Sequence, residues 1–324
     1  MQFHSVTVTA LALLAVCLPA DKAPRFAPAD ATTLKKTITT DTKVRSTSIK
    51  VKFDDEEHSA DEDGASVAFD NSESFTITDE YVKSADGRPV HLKRTFEDLT
   101  GKTVQTMDDG SDPEETAKEQ TSELTSKTVV FKWSDKDEEY TAKFPDDEGD
   151  EALLKDLEAD LDFITFLPKK DVKEDDEWQV TGKAARILMF PGGDMKLEST
   201  DDEDNDTAEL DRGLRDNFNA KITAVYKGTR TEGETKCAVI EIKGNLSTHG
   251  EMDGGNMSLV IEVNVTGEIL WDVTKNHVHM VSVQGEDKTV YTTNYELDMD
   301  GERHTMSQVI IFEGPTTLSM KVSE

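Results

Sequence analysis

Between Phe218 and Met320 apolar and polar residues alternate with a period of two. Met257, Leu259, Ile261, Val263 and Val265 take alternate positions, while Ser258, Glu262, Asn264 and Thr266 fill most of the gaps. The same beat returns at Tyr291, Thr293, Tyr295, Leu297 and Met299, and more weakly at Ala238, Ile240 and Ile242. Strands that bury one face require this pattern. It predicts a meander of strands at Asn219 to Lys227, Lys236 to Leu246, Met257 to Trp271, His277 to Gln284, Thr289 to Met299, Thr305 to Phe312 and Thr317 to Val322. Asp300-Gly301 is a two-residue hairpin signal. Gly267 and Gly285 interrupt long strands and are expected at bulges. A single strand from His277 through Met299 would be roughly 75 Å long at ~3.3 Å per residue, too long to stay flat, so a curved sheet is implied.

The N-terminal half repeats the character with less regularity. Strands are expected within Leu34 to Phe53 and at Val67 to Phe69, Phe75 to Tyr81, Val90 to Phe96, Lys127 to Trp133 and Glu139 to Phe144. Between the halves the period changes. Leu153, Leu154, Leu157 and Leu161 recur at helical spacing behind an acidic start, which predicts a helix from Asp150 to Asp162 packed on the sheet. The fold class expected is therefore mainly β: a long, curved, half-barrel-like antiparallel meander with one central helix. Residues 34–324 form one β-rich domain, divided into N-terminal strands 34–145, helix and linker 146–212 and a C-terminal meander 213–324.

Ala10 to Leu18 is a short apolar run followed by Pro19-Ala20, read as an export signal over residues 1–20, with 21–33 as a flexible linker. An exported, periplasmic or extracellular chain is expected. Cleavage after Ala20 would leave Cys237 alone, so no internal disulfide is expected and a small buried thiol is the default. With 68 acidic against 36 basic residues the net charge is -32. Such a coat excludes a nucleic-acid or anionic-membrane binder and leaves cations or a basic protein as charged partners. The sequence contains no apolar run long enough for a membrane-spanning helix.

Asp79-Glu-Tyr81 with Asp86-Gly-Arg-Pro89, and Leu167-Pro168 with Val172-Lys173 and Asp176-Glu177-Trp178, resemble exported bacterial domains of unknown function. The latter stretch is similar to their LP-x-x-x-V-x-x-G-D-x-W element, with Asp175 at the glycine position, and Gly267 to Asp272 resembles their late strand-and-turn element. The wider resemblance is to LolA-like lipoprotein carriers. It implies a curved sheet around an apolar groove and carries over no catalytic residue.

Two functions follow as expectations. The first is a soluble exported protein holding a lipid or other apolar or amphipathic ligand in a curved groove, for which Trp178, Trp271, Phe166 and Met280 are the candidate lining. For the tryptophans the rival reading is the core. The second is an acidic envelope structural or interaction protein with weak calcium binding. His277 and His279 have the spacing of two ligands on one strand face, with His304 as a third across the hairpin, against a plain exposed pair. Asp202, Asp204 and Asp206 open like a calcium loop, but Thr207 and Gly213 stand where its glycine and glutamate belong. No cofactor is otherwise implied. The chain contains no Gly-x-Ser-x-Gly, His-Glu-x-x-His or phosphate-binding glycine loop, so no enzyme is expected.

Overall fold

The structure is a computed structural model that describes residues 23–54, 56–110, 112–146, 149–200, 208–299 and 302–324. The strands are β1 (Thr32–Phe53), β2 (Glu56–Ser59), β3 (Ser66–Ala85), β4 (Arg88–Asp108), β5 (Glu114–Ser122), β6 (Thr128–Ser134) and β7 (Glu139–Lys143), followed by β8 (Glu177–Thr181) and β9 (Leu197–Ser199). After helix α1 (Ala208–Asp216) come β10 (Asn219–Glu232), β11 (Thr235–Met252), β12 (Met257–Asp272), β13 (His277–Met299) and β14 (Glu302–Ser323). The patterning is right about the class: the chain is mainly β and builds one large antiparallel sheet. The order is β7-β6-β4-β3-β1-β14-β13-β12-β11-β10-β8, open at both ends. Asp300 and Gly301, the expected hairpin turn, lie outside the described residues, as does the expected export signal.

The expected strands are longer and fewer. His277 to Met299 is one strand of 23 residues, and Glu302 to Ser323 one of 22. The first and last strands meet in the middle of the sheet, with Lys35 opposite Ser323 and Phe53 opposite Met306.

Inner-face glycines crease the sheet. Gly267 and Gly285 are not bulges, since the β12–β13 register passes both unshifted. They are sites of close approach. A Cβ at Gly244, Gly267 or Gly314 would collide with the carbonyl oxygen of Lys221, Ser282 or Lys43 on the next strand, and one at Gly285 would lie 3.0 Å from that of Asn264. The β11–β14 glycines step along a diagonal: Gly244 opposite Val265, Gly267 opposite Val283, Gly285 opposite Thr316. Glycines placed so let a sheet curl tightly.

The predicted helix from Asp150 to Asp162 is corrected. Only Glu151–Leu154 turns, in 3-10 geometry capped by the Asp150 side chain, and Lys155 leaves it extended. Two competing partners unwind the rest. Asp156 turns at φ 63 and Leu157 bridges Gly193. Further on, Arg94 takes the carbonyl oxygens of Glu158 and Ala159, both at 2.9 Å, which a helix would have kept for itself. Apart from β8, the segment between β7 and β9 is thus an irregular strap that drives Leu161, Phe163, Phe166, Val172 and Ile187 into the concave face. The one α-helix among the described residues, α1, packs on β11 instead, with Gly213 facing Gly250 at backbone contact.

Residues 23–33, expected as flexible linker, are also corrected. Phe26 is 2% exposed and packs edge-on against Tyr81 and Trp271, while the Trp271 indole donates to the Arg25 carbonyl at 3.2 Å. One large apolar side chain among alanines and prolines pins the segment. Asp175 holds φ 68, the left-handed conformation that a glycine at this motif position would adopt.

Candidate functional site

The concave face has two halves. One is filled by the strap and contains charges. Lys36, Asp79, Arg94 and Asp162 are all fully buried. Lys36 Nζ bridges Asp79 Oδ2 and Asp162 Oδ1, both at 2.8 Å, and Arg94 grips Asp79 through Nε at 2.7 Å and Nη2 at 2.9 Å. The Tyr81 hydroxyl donates to Asp162 at 2.6 Å. Two cations thus face two carboxylates. Burial pushes the Asp79 carboxyl up, but the charges of Arg94 and Lys36 more than reverse this and hold it below the ordinary range. Burial and the Asp162 and Asp79 charges push the Tyr81 phenol well up. Asp160, whose carboxylate accepts the Asp162 and Ile164 amides, is raised to about 6 by burial and then by Asp162. This network ties β1, β3 and β4 to the strap and leaves no open space for a substrate.

The other half is hollow. Beyond the glycine crease lies a groove of about 810 Å³ whose lining runs from Met107 on β4 to Leu246 on β11. On a flat sheet the six spacings between those strands, at ~4.8 Å each, would set them roughly 29 Å apart, so only curling brings them around one cavity. Its walls are Phe69, Ile261, Val263, Ile310, Phe312 and their neighbours, with Leu188 and Met189 of the strap closing the inner end. Thr40, Thr42, Asn71, Glu73, Asp287 and Thr316 add polar atoms. Thr42 and Thr316 share a hydroxyl hydrogen bond at 2.7 Å.

None of the four aromatic and thioether residues expected in a groove lines this one. Phe166, on the strap, is fully buried against the sheet and its carbonyl accepts the Trp178 indole at 3.2 Å. Trp271 is fully buried in the filled half. Met280 packs with Cys237, Val239 and Leu270 in a small cluster of their own. Size misled the reading: both tryptophans and Phe166 went to the filled half, and the groove is walled by aliphatic side chains with Phe69, Tyr291 and Phe312. The missed signal is a change of polarity at constant parity. Leu34 and Ile38 on β1 are buried and apolar, but Thr40 and Thr42 continue the same face as hydroxyls, and on β3 Phe75 gives way to Glu73 and Asn71.

The histidine pair does not form a ligand face. A register shift between Leu270 and Trp271 pairs Met280 and Val278 with them and leaves His279 as the extra residue, which breaks the alternation that would align it with His277. His277 is buried, with Nδ1 2.7 Å from the Val278 carbonyl oxygen. His304 is elsewhere, 2.8 Å from Asp54 and stacked on Phe53. Asp202, Asp204 and Asp206 lie outside the described residues, and among those described no three His, Cys, Asp or Glu side chains gather as metal ligands. Cys237 is buried, and burial raises its thiol to about 11. Among the described residues no helix is long and apolar enough to cross a membrane.

No family model and no curated protein matches the chain. Among solved structures, the type IV competence pilus secretin PilQ of V. cholerae aligns at 6% identity over 95% of this chain with a TM-score of 0.18, and this chain spans 62% of that one. The outer membrane channel DcaP of Acinetobacter baumannii aligns at 9% identity over 93% of this chain and 100% of that one, with a TM-score of 0.13. Likenesses this slight carry no argument about fold or function.

Proposed function

We propose that this chain is an exported binding protein that holds an apolar or amphipathic ligand in the hollow half of its curled sheet. The observation that carries the reading is the unequal filling of one concave face. Large side chains and a strap close one half, while the same strands leave about 810 Å³ open in the other, within the ~300–1,000 Å³ typical of small-ligand pockets. The resemblance to LolA-like carriers points the same way. The reading assigns no reaction, since the groove carboxyls Glu73 and Asp287 sit on β3 and β13, with β1 and β14 between them.

The test begins with gentle purification from an exporting host, native mass spectrometry and solvent extraction, where a co-purifying lipid-sized mass supports the reading. Titration with an apolar fluorophore completes it. Binding is expected in the wild-type chain and lost on filling the groove with Thr316→Phe. A fluorophore that does not bind, or binds the filled variant equally, overturns the proposal.

A further inference from the structure

The floor and the walls of the groove differ in chemistry. Cross-strand register sorts the concave face into rows. Nearest the filled half, Glu73, Thr40, Leu318 and Val283 form one row, and Asn71, Thr42 and Thr316 with Gly285 form the next. Asp287 follows, opposite Gly314 and Val263. From there to the mouth the face is largely apolar, interrupted by the row of Gln308 and Thr293. Phe312 lies opposite Thr289 and beside Ile261, and Ile310 lies opposite Tyr291 and beside Leu259. The rim row is Tyr295, Met306 and Phe53, and Tyr295, Phe53 and the neighbouring Met107 are exposed. The polar end of the groove is therefore the deep end, and the apolar end opens outward.

The deep end is also anionic and uncompensated. Asp287 is 9% exposed, and its side-chain partner is the Thr289 hydroxyl at 2.7 Å. Glu73 accepts from the Thr40 hydroxyl at 3.2 Å. Among the described residues neither carboxylate pairs with a cation, and Lys102, the one basic residue of the lining, is exposed. Asp211 of α1 adds a negative charge that bears on Glu73. Burial pushes both carboxyls upward. A carboxylate withdrawn from water without a counter-charge is costly, and a ligand that brings the charge recovers that cost on binding. In the filled half the two fully buried carboxylates, Asp79 and Asp162, each have a Lys or Arg in place. In the groove that place is open to a ligand.

We infer that the groove takes an amphiphile with a cationic head, an ammonium on an aliphatic chain, bound with its head at Asp287, Glu73 adding a more distant negative charge, and its chain lying along Ile261, Ile310 and Phe312 to the rim. This deepens the binding reading above and rests on it. An anionic amphiphile, such as a fatty acid, meets like charge at the floor, and a neutral one gains only the walls.

Decylammonium, decanol and decanoate carry the same chain with a cationic, neutral and anionic head. Each is titrated below its micelle concentration against a bound apolar fluorophore. Decylammonium is expected to bind roughly 10-fold more tightly than decanol, the size of one charge-assisted hydrogen bond, and decanoate more weakly than either. Asp287→Asn brings decylammonium toward the decanol value, Glu73→Gln moves it part of the way, and both leave decanol unmoved. Asp41→Asn, exposed on the opposite face of β1, removes the same charge from the coat and leaves all three unmoved. The inference is overturned if decanol binds as tightly as decylammonium, or if Asp41→Asn erases the preference as fully as the groove variants. If none of the three displaces the fluorophore, the binding reading itself fails. Asn and Gln keep the side-chain shapes and relieve buried charge, so thermal melts of both groove variants should match or exceed the wild type.

Discussion

The two halves of the concave face share the strands β1, β3, β4, β13 and β14, yet they solve burial in opposite ways. In the filled half, charges are fully buried and each has a partner in place, under aromatic and aliphatic side chains contributed by the strap. In the hollow half, carboxylates face open space with only hydroxyl partners. The difference teaches that burial alone does not mark a site here. The fully buried ion network looks more like catalytic machinery than anything in the groove, but it is a tie-bar. The modest carboxylates beyond the crease have access to a ligand.

The sharpest way to break this comparison is to remove one member of the tie-bar. Lys36→Met leaves Asp79 sharing only Arg94 and Asp162 without a cation, and should cost about 3–5 kcal/mol in a denaturant titration. A loss under ~1 kcal/mol would mean that the network is wet and that the halves are not distinct. A pair of truncations contrasts filling directly. Phe166→Ala should cost about 3–5 kcal/mol, as a full cavity in a dense core does, and leave fluorophore binding intact. Phe312→Ala, which borders existing space, should cost less and weaken binding. Equal costs and equal binding would erase the distinction. At the boundary, Gly267→Ala places a methyl against the Ser282 carbonyl and should cost about 1–3 kcal/mol. A neutral result would show that the crease is not needed for the curl.

The smallest effect is a pH slope. The folded-state pKa of Asp160, about 6 against an ordinary 3.8, means that the folded chain holds the extra proton. Stability from this group is complete below the unfolded value and falls as pH rises through the window from about 4 to 6. Asp79 acts in the opposite sense: its lowered pKa contributes stability above the ordinary value that is lost on acidification. Asp160→Asn keeps the acceptor for the Asp162 and Ile164 amides and should remove the fall, a gain of about 1–2 kcal/mol at pH 7. A denaturation series at several pH values that shows no difference from wild type would place Asp160 in contact with solvent.

Strand alternation made most of the sheet legible, because period two survives wherever one face is buried. Met257 to Val265 and Tyr291 to Met299 were readable from residue order alone. Where long strands were split, at Gly285 and at Gly314-Pro315, the interruption lies within an unbroken strand: the residues that suggest a turn are those that let the sheet crease. The four leucines that suggested a helix were spaced for one, but carbonyl oxygens claimed by Arg94, a residue 65 positions earlier than Ala159, decide otherwise. No local pattern contains that partner. The groove was legible as an idea, through curvature, and illegible in its residues. Its inner-facing Thr40, Thr42, Asn71 and Glu73 read as a faltering strand until the register aligns them beneath an open mouth.

The meeting of the first and last strands bears on how the chain becomes a protein. β1 pairs with β14 along nearly its whole length, from Lys35 with Ser323 to Phe53 with Met306, and β14 joins the N-terminal strands to the C-terminal meander. Nothing can close the centre of the sheet until β14 has been made, as pairing between strands so far apart in sequence demands. Until then neither half of the concave face is complete. The strands that wall the groove on its two sides meet only through β14, so the cavity comes into being with that strand.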